Sequence, residues 1–164
     1  DKVDLVPLGL DGLMGLADST HVEVQKKAHA IFDALLLEQS PRIDVHELLA
    51  RLGQHPSTTT RKYAVDMAVK HLKPGFVRLA KLELLFRSAL LDVWPDRKMK
   101  RTVIAFLDER GQQDENQAEA AAAVLGDFVR TKTVDDRERA LAALVHIKLK
   151  FPRTAMPVVV KEAA

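Results

Sequence analysis

The sequence predicts an all-α protein, with about eight helices stacked as antiparallel pairs into a short solenoid. Three observations predict it. The first is a recurring block. Leu13 and Leu16 end one apolar helix, a short polar turn (Asp18, Ser19, Thr20) follows, and Ala28 stands twelve residues after Leu16. Leu49, Leu52 and Ala64 repeat this arrangement, as do Leu125, Phe128 and Ala140, with the spacing of twelve kept each time. The second is the period, roughly 36 to 40 residues of two helices each, which indicates stacked repeats because one helix pair cannot bury both of its apolar faces. The third is composition. Ala and Leu are abundant and aromatics make up only 5% of the chain, a mix that favours helices because Ala and Leu lose little rotamer freedom there.

The elements follow in order. Residues 2–17 read as a helix entered at Pro7, whose missing N–H costs nothing at a helix start. Gly9, Gly12 and Gly15 recur inside it. Each costs about 1 kcal/mol against Ala in a helix interior, so a loosely helical end segment is the plainer reading and close backbone approach to a neighbour the sharper one. No strand precedes these glycines, which argues against a phosphate-binding loop. Residues 20–38 form the next helix, capped by Ser19 or Thr20, with Val24, Ala28, Ile31, Phe32 and Leu35 on one face. Ser40-Pro41 breaks it. A short helix from about 42 to 53 points Val45, Leu48, Leu49 and Leu52 inward and ends at Gly53 as a C-cap.

Hydroxyl caps abound in residues 54–60, before a helix over 58–72 that carries Ala64, Met67, Ala68 and Leu72. Lys73-Pro74-Gly75 ends it. The helix over 75–93 is the most apolar. Leu79, Leu82, Phe86 and Leu90 fall on one face and Val77, Leu84 and Leu91 on another, so it needs two neighbours. That fits a central place in the stack, and the sharper reading makes Val77, Leu84 and Leu91 a partner face. Trp94-Pro95 is the next break. A helix over 96–110, with Met99, Val103, Phe106 and Leu107 inward, ends at Gly111; either Val103 or Ala105 takes the register position of Ala28. An Ala-rich helix spans about 115–130, Thr133 can cap a helix over 134–150, and the closing AMPVVVKEAA reads as a further helix cut short. Both ends resemble half-repeats, and the chain is expected to be one domain over 1–164, a fragment of a longer array.

The residues in this register resemble a known family. Val24-Gln25-Lys26-Lys27-Ala28, Thr60-Arg61-Lys62-Tyr63-Ala64 and Asp136-Arg137-Glu138-Arg139-Ala140 are similar to the Val-Arg-x-x-Ala pattern of HEAT-type repeats. Gln replaces Arg in the first and Thr replaces Val in the second, while the third keeps Arg and Ala. The resemblance implies a curved array whose extended surface holds other proteins; armadillo-like pairs fit the same pattern.

Composition excludes several functions. There is no cysteine, so disulfides, thiolate metal sites and thiol catalysis are absent. No apolar run approaches the roughly 20 residues of a membrane span, and no signal peptide is visible at the start. The compartment expected is the cytoplasm, or the nucleus of a eukaryote. The six histidines (His21, His29, His46, His55, His71, His146) include no i, i+4 pair on a helix of the metalloprotease type. The acidic pairs Asp108-Glu109, Asp114-Glu115 and Asp135-Asp136 sit in turns or helix ends, where acids complement the helix dipole. Ser and Thr cluster in turns without an adjacent His and acid. Trp94 with Asp92 or Asp96 makes a poor match to the DNA glycosylases among HEAT-like proteins.

Basic residues are more informative. Lys26, Lys27, Arg61, Lys62, Arg97, Lys98, Lys100, Arg101, Arg137 and Arg139 fall at or near the start of each repeat's first helix. Stacked, they would form a ridge able to contact phosphates, although a net charge of +2 favours a solvated face balanced by acids. The leading expectation is a non-enzymatic protein-binding scaffold with no cofactor and an unidentified protein partner. The second is a nucleic-acid-binding module that uses the ridge.

Overall fold

The protein is described by a computed structural model covering residues 9–38, 43–91 and 97–157. These form eight helices: α1 (Gly9–Ala17), α2 (Val22–Glu38), α3 (Val45–Gly53), α4 (Thr58–His71), α5 (Leu79–Leu91), α6 (Arg97–Gly111), α7 (Glu115–Phe128) and α8 (Val134–Lys150). No strand occurs among the described residues. Pro7, Ser40-Pro41, Trp94-Pro95, Asp92, Asp96 and the terminal 158–164 lie outside the described residues.

The chain divides into two compact units, Asp1–Leu72 and Lys73–Ala164. In the first, α1 packs on α2, α3 on α4, and α2 on α4. In the second, α5 and α6 pack on one another and on α7, and α8 packs on both α6 and α7. The alternate pairs α2 with α4, α5 with α7, and α6 with α8 therefore lie side by side.

The repeat register is a burial register. Ala28, Ala64 and Ala140 are fully buried, and so are Leu13, Leu49 and Leu125. At the ambiguous third position the structure selects Val103, which is fully buried, over Ala105, which is exposed. Three phenylalanines, Phe32, Phe86 and Phe128, are the largest buried side chains. Burying each removes most of its apolar surface from water, a gain of about 1.5–3 kcal/mol apiece.

Local chemistry starts and ends these helices. Asp44 caps α3 by accepting from the backbone N–H groups of His46 (3.0 Å) and Glu47 (3.3 Å). Ser57 accepts from Thr60 at the start of α4, and Asp114 from Gln117 at the start of α7 (2.9 Å). Thr133 stands at the cap position of α8 without a side-chain cap bond, contrary to expectation. Ser19 accepts instead from His21 N–H (3.2 Å), while Gln25 reaches back to donate to the Ser19 carbonyl (2.6 Å).

Two glycines act differently from the sequence reading. Among the described glycines only Gly9 and Gly75 have positive φ, so Gly53 is not a left-handed C-cap, while Gly111 ends α6 as expected. Gly53 closes α3, whose cap is Gln54. Gly111 is buried where α6, α7 and α8 meet. A Cβ there would lie 2.7 Å from Ile147 Cδ1 and 2.8 Å from Ala121 Cβ. Gly15, by contrast, faces open space, so close approach does not explain it.

The expected helix over 75–93 begins four residues late. Gly75 at φ +79° follows Pro74 in a tight turn closed by Phe76 N–H donating to the Lys73 carbonyl (3.1 Å), the Pro-Gly pattern of a type II turn. Val77 therefore lies in the turn. The start of α5 carries no local Ser, Thr, Asp or Asn to satisfy its orphan N–H groups. Gln117 of α7 substitutes: its Oε1 accepts from Leu79 N–H (2.9 Å) and its Nε2 donates to the Val77 carbonyl (2.6 Å).

The central helix of the second unit is α7, not the most apolar helix α5. Ala118, Ala120, Ala121 and Ala122 are all buried. Methyl-sized side chains on several faces let three neighbours approach, whereas α5 leaves Leu84 and Leu91 exposed.

Candidate interaction surfaces

The ten candidate basic residues divide between the units. In the first, Lys26 is exposed and donates to Glu23 Oε1 at 2.9 Å, one turn away. Lys27 and Lys62 are exposed. Arg61 is committed to the fold: its Nη1 donates to the carbonyls of His55 and Pro56, both at 2.8 Å, and its Nη2 to Thr58 Oγ1 at 3.3 Å. Its guanidinium holds the turn between α3 and α4.

In the second unit, Arg97 and Lys98 are exposed at the start of α6. Lys100 Nζ lies 5.7 Å from the centroid of the Phe128 ring, within cation–π range. Arg101 and Arg139 converge on one carboxylate: Arg101 Nη2 donates to Asp135 Oδ2 at 2.6 Å and Arg139 Nε to Oδ1 at 3.3 Å. The Arg139 guanidinium, with that of Arg101, holds the Asp135 carboxyl below the usual carboxylate range. Arg137 is half-buried. Much of the expected ridge thus spends its charge on neighbours.

The expected apolar face is only partly realised. Leu84 and Leu91 are 61% and 55% exposed and lie two turns apart on α5. Val77 is 2% exposed and precedes the helix, so it is not part of that surface; the Pro74-Gly75 turn and the Gln117 clamp pull it inward. A second apolar surface, not foreseen, is on α8, where Val134, Leu141, Val145 and Leu149 are exposed.

Two polar clusters also escaped the sequence. On α2 and α4, the single O–H of Tyr63 lies between two acceptors, Asp33 Oδ1 (2.5 Å) and the His29 carbonyl (2.9 Å). The His29 and Tyr63 rings stack 4.0 Å apart at 5°. Burial, reinforced by Asp33, pushes the Tyr63 phenol well above its usual range. Burial also lowers the His29 imidazole, against the pull of Asp33. The signal was present: Tyr63 precedes one register alanine and His29 follows the other, so stacked helices bring them together.

On α6 and α8, His146 Nδ1 lies 2.9 Å from Asp108 Oδ2 while Gln112 donates to Oδ1 at 2.7 Å. They line a shallow hollow of about 660 Å³ with Leu149 and Lys150. A His–Asp pair is half of a nucleophilic site, but no hydroxyl or thiol lines this hollow. Among the described residues no group of three or more His, Asp or Glu could hold a metal ion, and no helix is long and apolar enough to cross a membrane.

Comparison of the chain with protein-family models, with curated proteins and with solved structures finds no match to any of them.

Proposed function

We propose that the protein is a non-enzymatic α-solenoid of HEAT-like helix pairs that serves as a protein-binding scaffold. The repeat reading is supported by side chains about one period apart that touch: Asp11 with Arg51, Asp18 with His55, Arg87 with Asp127, and Asp108 with His146. Stacked repeats place residues of that separation side by side, since each repeat contacts its neighbours.

The observation that carries the binding reading is the exposed pair Leu84 and Leu91. Isolated exposed leucines are ordinary. Two on one stripe of a helix, above a core in which its other leucines are at most 1% exposed, form a surface that a partner's apolar side chains can cover. The second reading, nucleic-acid binding, is favoured by Arg97 and Lys98. They sit at the amino end of α6, where the helix dipole opposes cations and an anion would offset both.

The test is capture on the immobilised chain, comparing wild type with the double variant Leu84→Asp/Leu91→Asp. Both positions are exposed, so the fold is retained. Proteins held by wild type at high salt should be lost roughly tenfold from the variant, a change of about 1.4 kcal/mol. Equal retention by both would overturn the assignment of this face.

A further inference from the structure

We infer that α8 is the contact between two copies of this chain, paired antiparallel about a two-fold axis. Helix α8 buries Asp136, Ala140, Ala143, Leu144 and Ile147 on one side. Its opposite side carries Val134, Glu138, Leu141 and Val145 with Lys148, at steps of four, three, four and three. That alternation is the 3.5-residue repeat of a helix seam. Val134 is 52% exposed and Val145 is 55% exposed, and Leu149, beside the seam, is 76% exposed.

Charge selects the occupant. On the seam the one acid, Glu138, precedes the apolar centre and the one base, Lys148, follows it; off the seam Asp136 is buried, Asp135 is held by Arg101 and Arg139, and Arg137 is half-buried. A helix acidic at one end of its seam and basic at the other is complementary to its own reversed copy. When Leu141 is set against Val145 of a second copy, Glu138 falls against Lys148 of that copy, and the two-fold repeats both pairs. Such an interface is isologous and closes at two. Lys148 Nζ also donates to the Thr154 carbonyl at 2.9 Å, and an ammonium with three donors serves both. A single helix pair lies at the small end of stable interfaces, so the dimer forms at micromolar concentration. This surface is separate from the α5 leucines: a chain that stayed monomeric would overturn the inference and leave the scaffold reading standing.

The test is sedimentation velocity on the full chain across a concentration series. The mass should rise from 18.3 kDa toward twice that value. Val145→Glu should abolish the rise. Glu138→Lys alone and Lys148→Glu alone should each weaken dimerisation about tenfold or more, and the double variant Glu138→Lys/Lys148→Glu should restore it, since a swapped pair is again complementary. Circular dichroism confirms that each variant is folded. A wild type monomeric throughout the series, or a dimer indifferent to Val145→Glu, would overturn the proposal. A dimer that the double variant fails to restore would overturn the antiparallel register.

Discussion

Gly111→Ala is expected to destabilise the second unit by about 1–2 kcal/mol, although glycine is the poorer helix former. Two effects compete. Alanine gains up to about 1 kcal/mol of helix propensity over glycine, less at a terminal residue. Against that, the new methyl would sit 2.7 Å from Ile147 Cδ1 and 2.8 Å from Ala121 Cβ. Ile147 is fully buried and so is Ala121, and the Ala121 Cβ is fixed to the α7 backbone. Relief therefore requires helices to separate, and overpacking of this kind costs about 1–3 kcal/mol. In a unit of this size each kcal/mol lowers the melting temperature by about 4–8 °C. Gly15→Ala is the internal control. Its Cβ would meet nothing within 4 Å, so it should stabilise, by about the propensity difference of 1 kcal/mol. Opposite signs for two glycine-to-alanine changes in helices would establish that Gly111 is there for close packing. Stabilisation by both would refute the three-helix junction.

Tyr63 is expected to remain a phenol through the range in which tyrosine normally ionises. It is the chain's one tyrosine, so phenolate absorbance reports it without overlap. A free phenol titrates near about 10. Here burial disfavours the phenolate and Asp33, which accepts the phenol proton, disfavours it further. The phenolate signal should appear only at higher pH, together with loss of helix by circular dichroism. The sign follows from linkage. A group whose folded pKa is raised holds a proton that the unfolded chain gives up. Its contribution is present below the unfolded value of about 10 and is lost as pH rises beyond it. Tyr63→Phe keeps the ring against His29 but removes the donor to Asp33 and to the His29 carbonyl, at a cost of about 1–2 kcal/mol. Titration near 10 in a chain that stays helical would place Tyr63 in solvent and dissolve the cluster.

The helices were legible because their apolar spacing and their breakers agree. All eight begin or end within a few residues of a Pro, a Gly or a capping Asp or Ser that the sequence displays. The register was legible from Ala28, Ala64 and Ala140, whose small side chains mark where a neighbouring helix comes closest. It failed at the third unit, where Val103 holds the position and no alanine marks it. What escaped is what stacking creates. Gln117 clamps the start of α5 from another helix, Asp135 gathers Arg101 and Arg139, and His29 meets Tyr63 across α2 and α4. Apart from Arg139, one turn from Asp135, each partner lies about one period away in sequence, so no local window contains the pair. The commitments of the basic residues were not legible either. Counting cations along the chain does not reveal that Arg61 is bonded to two backbone carbonyls. The role of α5 was misjudged because its hydrophobicity exceeds that of α7, while central placement requires small side chains on several faces.

The central functional claim is that this surface receives protein rather than phosphate. It is tested most directly by electrophoretic titration of the pure chain with a mixed-sequence duplex and with a single strand, at low and at physiological salt. Binding to phosphates weakens steeply with salt, roughly with the number of phosphates neutralised, so the comparison is diagnostic. With Arg61, Arg101 and Arg139 committed to neighbours, the account predicts no shift of either probe at physiological salt. Micromolar binding that persists there, and that is lost in the variant Arg97→Glu/Lys98→Glu, would contradict it and make the amino end of α6 the functional surface.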